Sequence, residues 1–136
     1  MLFCIALIIF LYGLQISMYR IGWNRIKPKI QQVFTPKVSI VIAMRNEEKE
    51  VIRLISAFKK QIYPTDKLEF ILVNDHSTDA TLDLLEESKL DNLQIVNMPD
   101  GQFGKKNAIA KAVQIAKGEI ILSSDADCSF SPNWVR

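Results

Sequence analysis

The chain opens on Leu2 to Tyr19, a run without a charged residue. A helix needs about 20 predominantly apolar residues to cross the hydrocarbon core of a bilayer, and Gln15 and Ser17 near the end of the run are tolerable there. The pattern predicts a membrane anchor over residues 1–20. A cleaved secretory signal would instead place positive charge before the apolar run and a small-residue cleavage site after it. Residues 21–37 are basic and carry Pro28 and Pro36, which predicts a juxtamembrane linker. From Val38 the pattern changes to short runs rich in β-branched residues: Val38 to Ala43, Leu68 to Val73, Leu93 to Met98 and Glu119 to Ser124. Between the first two, Val51, Leu54, Ile55, Phe58 and Ile62 keep one helical face, behind an acidic first turn with Asn46 as its cap. A shorter helix is predicted over Asp79 to Ser88 with Leu82, Leu85 and Leu84 inward, and a third over Lys106 to Lys117 with Gly118 as its C-terminal cap. Ser131-Pro132 has the form of a cap and first position of a further helix. Strand and helix alternate, and the strands are continuously apolar, so the fold over residues 38–136 is expected to be α/β with a mainly parallel sheet covered on both faces.

Charge sharpens the anchor. Of the 136 residues, 17 are basic and 15 acidic, but Arg20, Arg25, Lys27, Lys29 and Lys37 all precede the first acid, Glu47. The positive-inside rule then predicts a single-pass protein whose folded part faces the cytoplasm. A nucleic-acid partner is not expected, since that would need basic charge spread over a folded face. Cys4 in the anchor and Cys128 far from it form neither a disulfide framework nor a zinc spacing, and one histidine, His76, excludes a multi-histidine metal site within this chain.

In a parallel sheet ligands bind beyond the carboxyl ends of the strands. The polar clusters fall there: Met44 to Glu47, Asn74 to Asp79, Asp100 to Asn107, and Asp125-Ala126-Asp127 after the apolar Ile120-Ile121-Leu122. Two carboxylates one residue apart at a strand end either face water or hold a divalent cation. No Gly-x-Gly-x-x-Gly follows the first strand and no P-loop motif is present, which argues against a dinucleotide or Walker-type site. A phosphatase pair of the haloacid dehalogenase kind would end the first strand, whereas this pair ends the fourth. Carboxylates, amides, lysines and a candidate cation on one edge suit a nucleotide diphosphate. A carboxylate can accept from a base or ribose, a cation can bridge the phosphates, and the charge growing on a departing diphosphate is neutralised.

The four ordered motifs, Val38 to Glu47, Val73 to Asp79, Gly104-Lys105-Lys106-Asn107-Ala108 and Asp125-Ala126-Asp127, resemble the nucleotide-binding half of family 2 glycosyltransferases of the GT-A fold. The resemblance implies that Ala43, Arg45, Asn46 and Glu47 line the uridine pocket, that Asp75, expected as an exposed loop carboxylate, bonds the base, and that Asp125 meets the ribose or donor sugar. It implies further that Asp127 ligates Mg2+ or Mn2+ on the diphosphate and that Lys105 approaches the phosphates or sugar. The implied activity is metal-dependent, inverting transfer from a nucleotide-diphosphate sugar, a UDP-sugar first, to an acceptor hydroxyl, with a lipid or polysaccharide as candidate acceptor. Asn74 and His76 depart from the commoner residues of the family's second motif. The acceptor-activating base is expected beyond Arg136, and the alternative expectation is a non-catalytic, membrane-tethered nucleotide-sugar-binding remnant or regulatory partner.

Overall fold

The computed structural model describes residues 2–25 and 34–136, and the chain divides into two units between Phe34 and Thr35. Most of the expected linker falls on residues 26–33, outside the described residues. In the first unit, helix α1 (Leu2–Arg25) contains a 19-residue stretch, Ile5–Trp23, long and apolar enough to cross a membrane. Its large apolar side chains, Ile8, Phe10, Leu14 and Met18 among them, are exposed. The hydroxyl of Ser17 donates to the Gly13 carbonyl at 2.8 Å and the Gln15 amide to the Tyr19 hydroxyl at 3.1 Å. These polar groups find partners within the helix.

The second unit runs β1 (Val38–Met44), α2 (Glu48–Lys59), a 3-10 turn (Thr65–Lys67), β2 (Leu68–Asn74), α3 (Thr81–Glu87), β3 (Leu93–Asn97), α4 (Lys105–Ile115) and β4 (Ile120–Ser123). All strand pairs are parallel and the order across the sheet is β3-β2-β1-β4. Successive residues of a strand face opposite sides, and both faces of β1 and β2 are covered. Val38, Ile40, Ile42 and Met44 pack with Phe70, Leu72, Val51, Leu54, Phe58 and Leu85 under α2 and α3. Val41, Ile71 and Val73 pack with Ala108 and Ala112 of α4 on the other face. The small alanines let α4 lie close over the central strands.

Four local expectations change. Asn46 does not cap α2: its φ is 56° and the cap position is Glu47, without a side-chain cap of its own. Ile62 lies beyond the end of α2 and is exposed. Ser131 and Pro132 start turns, closed by Trp134 N–H donating to the Ser131 carbonyl, and no helix follows among the described residues. Among the described residues the fourth strand, β4, forms one border of the sheet, and Ile120 and Ile121 are exposed there.

Gly118 also acts differently from a helix cap, since α4 ends at Ile115 and Ala116 follows in an extended conformation. A Cβ on Gly118 would stand 2.5 Å from the Ser39 backbone nitrogen and 2.6 Å from its hydroxyl. The close approach closes a latch at the amino end of the sheet. Gly118 N–H donates to Ser39 Oγ at 2.7 Å, and the buried Ser39 hydroxyl and Lys117 N–H both donate to Glu69 Oε1, at 2.5 and 2.6 Å. Burial pushes the Glu69 carboxyl up, but these bonds and the neighbouring Lys37 and Lys117 outweigh it and hold it below the usual glutamate range. Because the clash is with backbone, Gly118→Ala should destabilise the fold by about 1–3 kcal/mol, the usual cost of overpacking. Thermal unfolding of the two proteins in the same detergent checks it.

Candidate functional site

The order β3-β2-β1-β4 places a switch point between β1 and β4, where the strand order reverses: the chain steps from β1 through β2 to β3 on one side and returns to place β4 on the other. Register brings the carboxyl ends together: Met44 pairs with Asn74, Asn74 with Asn97, and Ser123 with Val41. Beyond them opens a cleft of about 370 Å³, within the range of small-molecule sites, lined by Ala43, Met44, Arg45, Glu47, Asp75, Gly104, Lys105, Asp125, Ala126 and Asp127.

Every site residue anticipated from sequence except Asn46 lines this cleft. Asn46 is committed to holding two loops together. Its side-chain oxygen accepts from Thr78 N–H at 2.8 Å, and its own N–H donates to Ser77 Oγ at 3.0 Å. The same two loops cap each other's helices. Glu48 N–H donates to Asp79 Oδ2 at 3.2 Å, Glu47 N–H to Thr81 Oγ1 at 2.8 Å, and Ala80 N–H to Glu48 Oε2 at 3.2 Å. Asp79 Oδ1 accepts from Thr81 N–H at 3.0 Å, and with bonds to both helix starts Asp79 is a capping carboxylate that titrates below the usual aspartate range. Asn74, at the first position of the second motif, faces away from the cleft chemistry: its amide donates to Asn97 Oδ1 at 2.9 Å and its oxygen accepts from Ser77 N–H at 3.0 Å.

Asp75 is buried, with 4 % exposure, which corrects the expectation of a solvent-facing loop carboxylate. Oδ2 accepts from Gly104 N–H at 2.8 Å and Oδ1 faces His76 Nδ1 at 3.1 Å. Each oxygen keeps a further lone pair for another donor. His76, at φ 58°, packs against Phe103 with the rings tilted and their centroids 4.4 Å apart. Gly104, at φ 95°, is the residue before α4, so Asp75 fixes where that helix begins. Lys105, the first residue of α4, forms an ion pair with Asp125 across the cleft mouth, and that pairing raises the Lys105 ammonium above the usual lysine range. Ala126 is buried in the α2 side of the core between its two exposed neighbours. Asp125 and Asp127 therefore project from a pinned backbone. Burial first, and then the charges of Asp127, Glu50, Asp79 and Asp125, push the Glu47 carboxyl above the usual glutamate range.

Of the residues lining the cleft, sequence reading did not single out Met44, Gly104 and Ala126 as site residues. The signal for Ala126 was present, because a small apolar residue between two acids can turn inward where its charged neighbours cannot.

The family model described as "Glycosyl transferase family 2" matches residues 39–136. The chain belongs to that family, and its parallel sheet with flanking helices is of the GT-A type. It is 36% identical over 96 residues to the probable glycosyltransferase YdaM of Bacillus subtilis, covering 68% of this chain and 23% of that protein. Among solved structures, the mannosyltransferase PcManGT from Pyrobaculum calidifontis in complex with GDP-Man and Mn2+ is similar at a TM-score of 0.67 and 27% identity, covering 87% of this chain and 36% of that one. TarS 1-349 of S. aureus in complex with UDP-GlcNAc is similar at a TM-score of 0.62 and 30% identity, over 71% of this chain and 28% of that one. The chain thus spans about a quarter to a third of the length of these proteins.

The Asp75 geometry has a measurable consequence. Removing the carboxylate leaves Gly104 N–H and His76 Nδ1 without their partner, so Asp75→Ala should cost about 1–3 kcal/mol. Burial raises this carboxyl, but the bonds from His76 and Gly104 and the charge of Arg45 lower it further, below the usual aspartate range. Its contribution is therefore full above the unfolded aspartate value of about 3.9 and disappears as pH falls through the lower folded value. Denaturant titrations at neutral and strongly acid pH should show the gap between parent and variant closing in acid.

Proposed function

We propose that this chain supplies the membrane anchor and the donor-binding half of a metal-dependent, inverting glycosyltransferase that uses a UDP-sugar. The observation that carries the reading is the convergence of Asp75, Lys105, Asp125 and Asp127 on one cleft at the switch point. The complexes of PcManGT with GDP-Man and of TarS with UDP-GlcNAc support a nucleoside-diphosphate sugar as ligand. The base would sit between the Ala43 to Arg45 backbone and Asp75, with a free lone pair of Asp75 accepting from a base N–H. Lys105 would exchange Asp125 for a diphosphate oxygen, which frees Asp125 to accept from a ribose or sugar hydroxyl. The acceptor oxygen then bonds to the anomeric carbon from the face opposite the diphosphate. The carbon–oxygen bond to the diphosphate breaks, and the acceptor proton passes to a general base that none of these cleft residues is assigned to be.

The donor set fits Mg2+ or Mn2+. Among the described residues no group of three or more His, Cys, Asp or Glu side chains is arranged to hold an ion by itself. Such ions are commonly held by one or two carboxylates with the remaining ligands from substrate phosphates. Asp127 would hold the ion, with Asp125 and Glu47 nearby. Once bound, the ion would offset negative charge on the departing diphosphate.

The test is a set of nucleotide titrations with Mn2+ and with chelator. UDP should bind more tightly than GDP, and Mn2+ should tighten it further. Asp127→Asn should abolish the Mn2+ enhancement while sparing the weaker metal-free affinity, whereas Asp125→Asn should weaken UDP-sugar binding in both conditions. Retention of full enhancement by Asp127→Asn removes the chemical centre of the reading.

The apolar stretch Ile5–Trp23 of α1, with Arg20 near its end and Arg25 just beyond it, supports a single-pass anchor with the transferase part in the cytoplasm. The protein should resist carbonate extraction from membranes, and the part after Lys37 should be protected from protease added outside intact cells. Recovery in the soluble fraction, or digestion by the external protease, contradicts it.

A further inference from the structure

The loop that carries Asp125 and Asp127 leaves the sheet from a border strand, yet it is braced from an unexpected direction. Arg53, on the second turn of α2, reaches over it with its whole guanidinium. Nη2 donates to the Asp127 carbonyl at 2.5 Å, and Nη1 donates to Ser129 Oγ at 2.7 Å. Glu50, one turn earlier on the same helix, accepts from Arg53 Nε at 2.8 Å and so fixes the rotation of the fork. On either side of the braced segment the chain is tied to the core. Ala126 is buried in the α2 side of the core, and Phe130 packs on Phe58, with ring centroids 6.2 Å apart, and on Trp134. Within the loop itself, Cys128 N–H donating to the Asp125 carbonyl at 3.3 Å is the local backbone bond.

We propose that Arg53 is a positioning residue for the acidic loop, holding the Asp127 backbone so that its carboxylate is presented to the cleft. This rests on the donor-site reading above. The guanidinium takes the carbonyl of Asp127 and leaves the carboxylate free, the arrangement expected of an outer group that orients a ligand without competing for its charge. It also needs a planar fork: one ammonium cannot keep the directions of bonds to Asp127, Ser129 and Glu50 together.

The experiment compares the whole protein with Arg53→Ala and Arg53→Lys by two readouts. The first is the Mn2+ enhancement of UDP affinity, measured against metal-free UDP affinity on the same sample. Arg53→Ala should lose about tenfold of the Mn2+-dependent affinity, the scale on which outer partners of metal ligands act, and leave metal-free affinity within about twofold. Arg53→Lys should not restore it. The second is amide hydrogen exchange without metal or nucleotide, where the hydrogen-bonded Cys128 amide of the loop should exchange about tenfold faster in Arg53→Ala while β1 and β2 are unchanged. Unchanged loop exchange overturns the proposal, and so does full rescue by lysine, which would reduce the role of Arg53 to its charge. Faster exchange with undiminished Mn2+-dependent affinity overturns it too, leaving only a structural brace. If the parent protein binds no nucleotide, the donor reading falls by that result alone, and with it the assignment of Arg53 to that site, whatever the exchange shows.

Discussion

Because β1 lies between β2 and β4 and is covered by α2 and α3 on one face and by α4 on the other, no position from Val38 to Ile42 can carry an unpaired charge. The polar chemistry of this chain is displaced to the two ends of that strand. At the amino end it becomes a closed device, the bonds among Ser39, Glu69, Lys117 and Gly118, in which the buried hydroxyl is satisfied. At the carboxyl end it becomes an open one. Parallel pairing sends every strand out at the same edge, and the reversal of strand order between β1 and β4 sets the cleft between their loops.

What makes the open end a defined surface is the way its loops hold each other. The first turn of α2 and the loop before α3 exchange donors and acceptors through Asn46, Glu47, Glu48, Asp79 and Thr81, so neither helix starts without the other. A capping bond is worth about 0.5–2 kcal/mol, and several shared between two loops hold the Ala43 to Glu47 wall more firmly than either loop could alone. The Asp75 bond to Gly104 extends the same device to the start of α4 and thereby to Lys105. The Asp125 to Asp127 loop, on a border strand, meets this network through the ion pair of Asp125 with Lys105, while its backbone is tied to α2 through Arg53.

The alternation of strand and helix was legible because it depends on hydrophobic period, a property of the chain alone. The cleft was legible because parallel topology collects strand ends, so motifs far apart in sequence could be assigned to one edge. What escaped the reading depends on partners in space. Asn46 has the composition of a helix cap, but its φ of 56° turns its side chain to the neighbouring loop, and α2 is capped by Asp79 from there. Gly118 reads as a cap because glycine often ends helices, whereas here it is required by the nearness of Ser39. Asp75 reads as exposed because it is charged and follows a strand, and its burial follows from the way the Gly104 turn folds back over it. Arg53 carries no local signal at all, since its partners, Asp127 and Ser129, lie on the other side of the sheet order.

The charge balance of the cleft explains why an acidic surface can be read as a site for an anion. Glu47, Asp75, Asp125 and Asp127 face Arg45 and Lys105, and Lys105 is already paired with Asp125. The Glu47 carboxyl is raised by its burial first and then by the like charges around it, the trace of this crowding. A diphosphate brought into this surroundings alone would add to the repulsion. Paired with a divalent cation it brings little net charge, and the carboxylates that opposed it then contribute to holding the pair. On the proposed reading, the crowding of carboxylates thus selects for nucleotide and cation together and against either one singly. That coupling needs the acidic loop to be held in place before the ligand arrives, because a loop free to relax away from Glu47 would dissipate the repulsion that the cation is there to relieve.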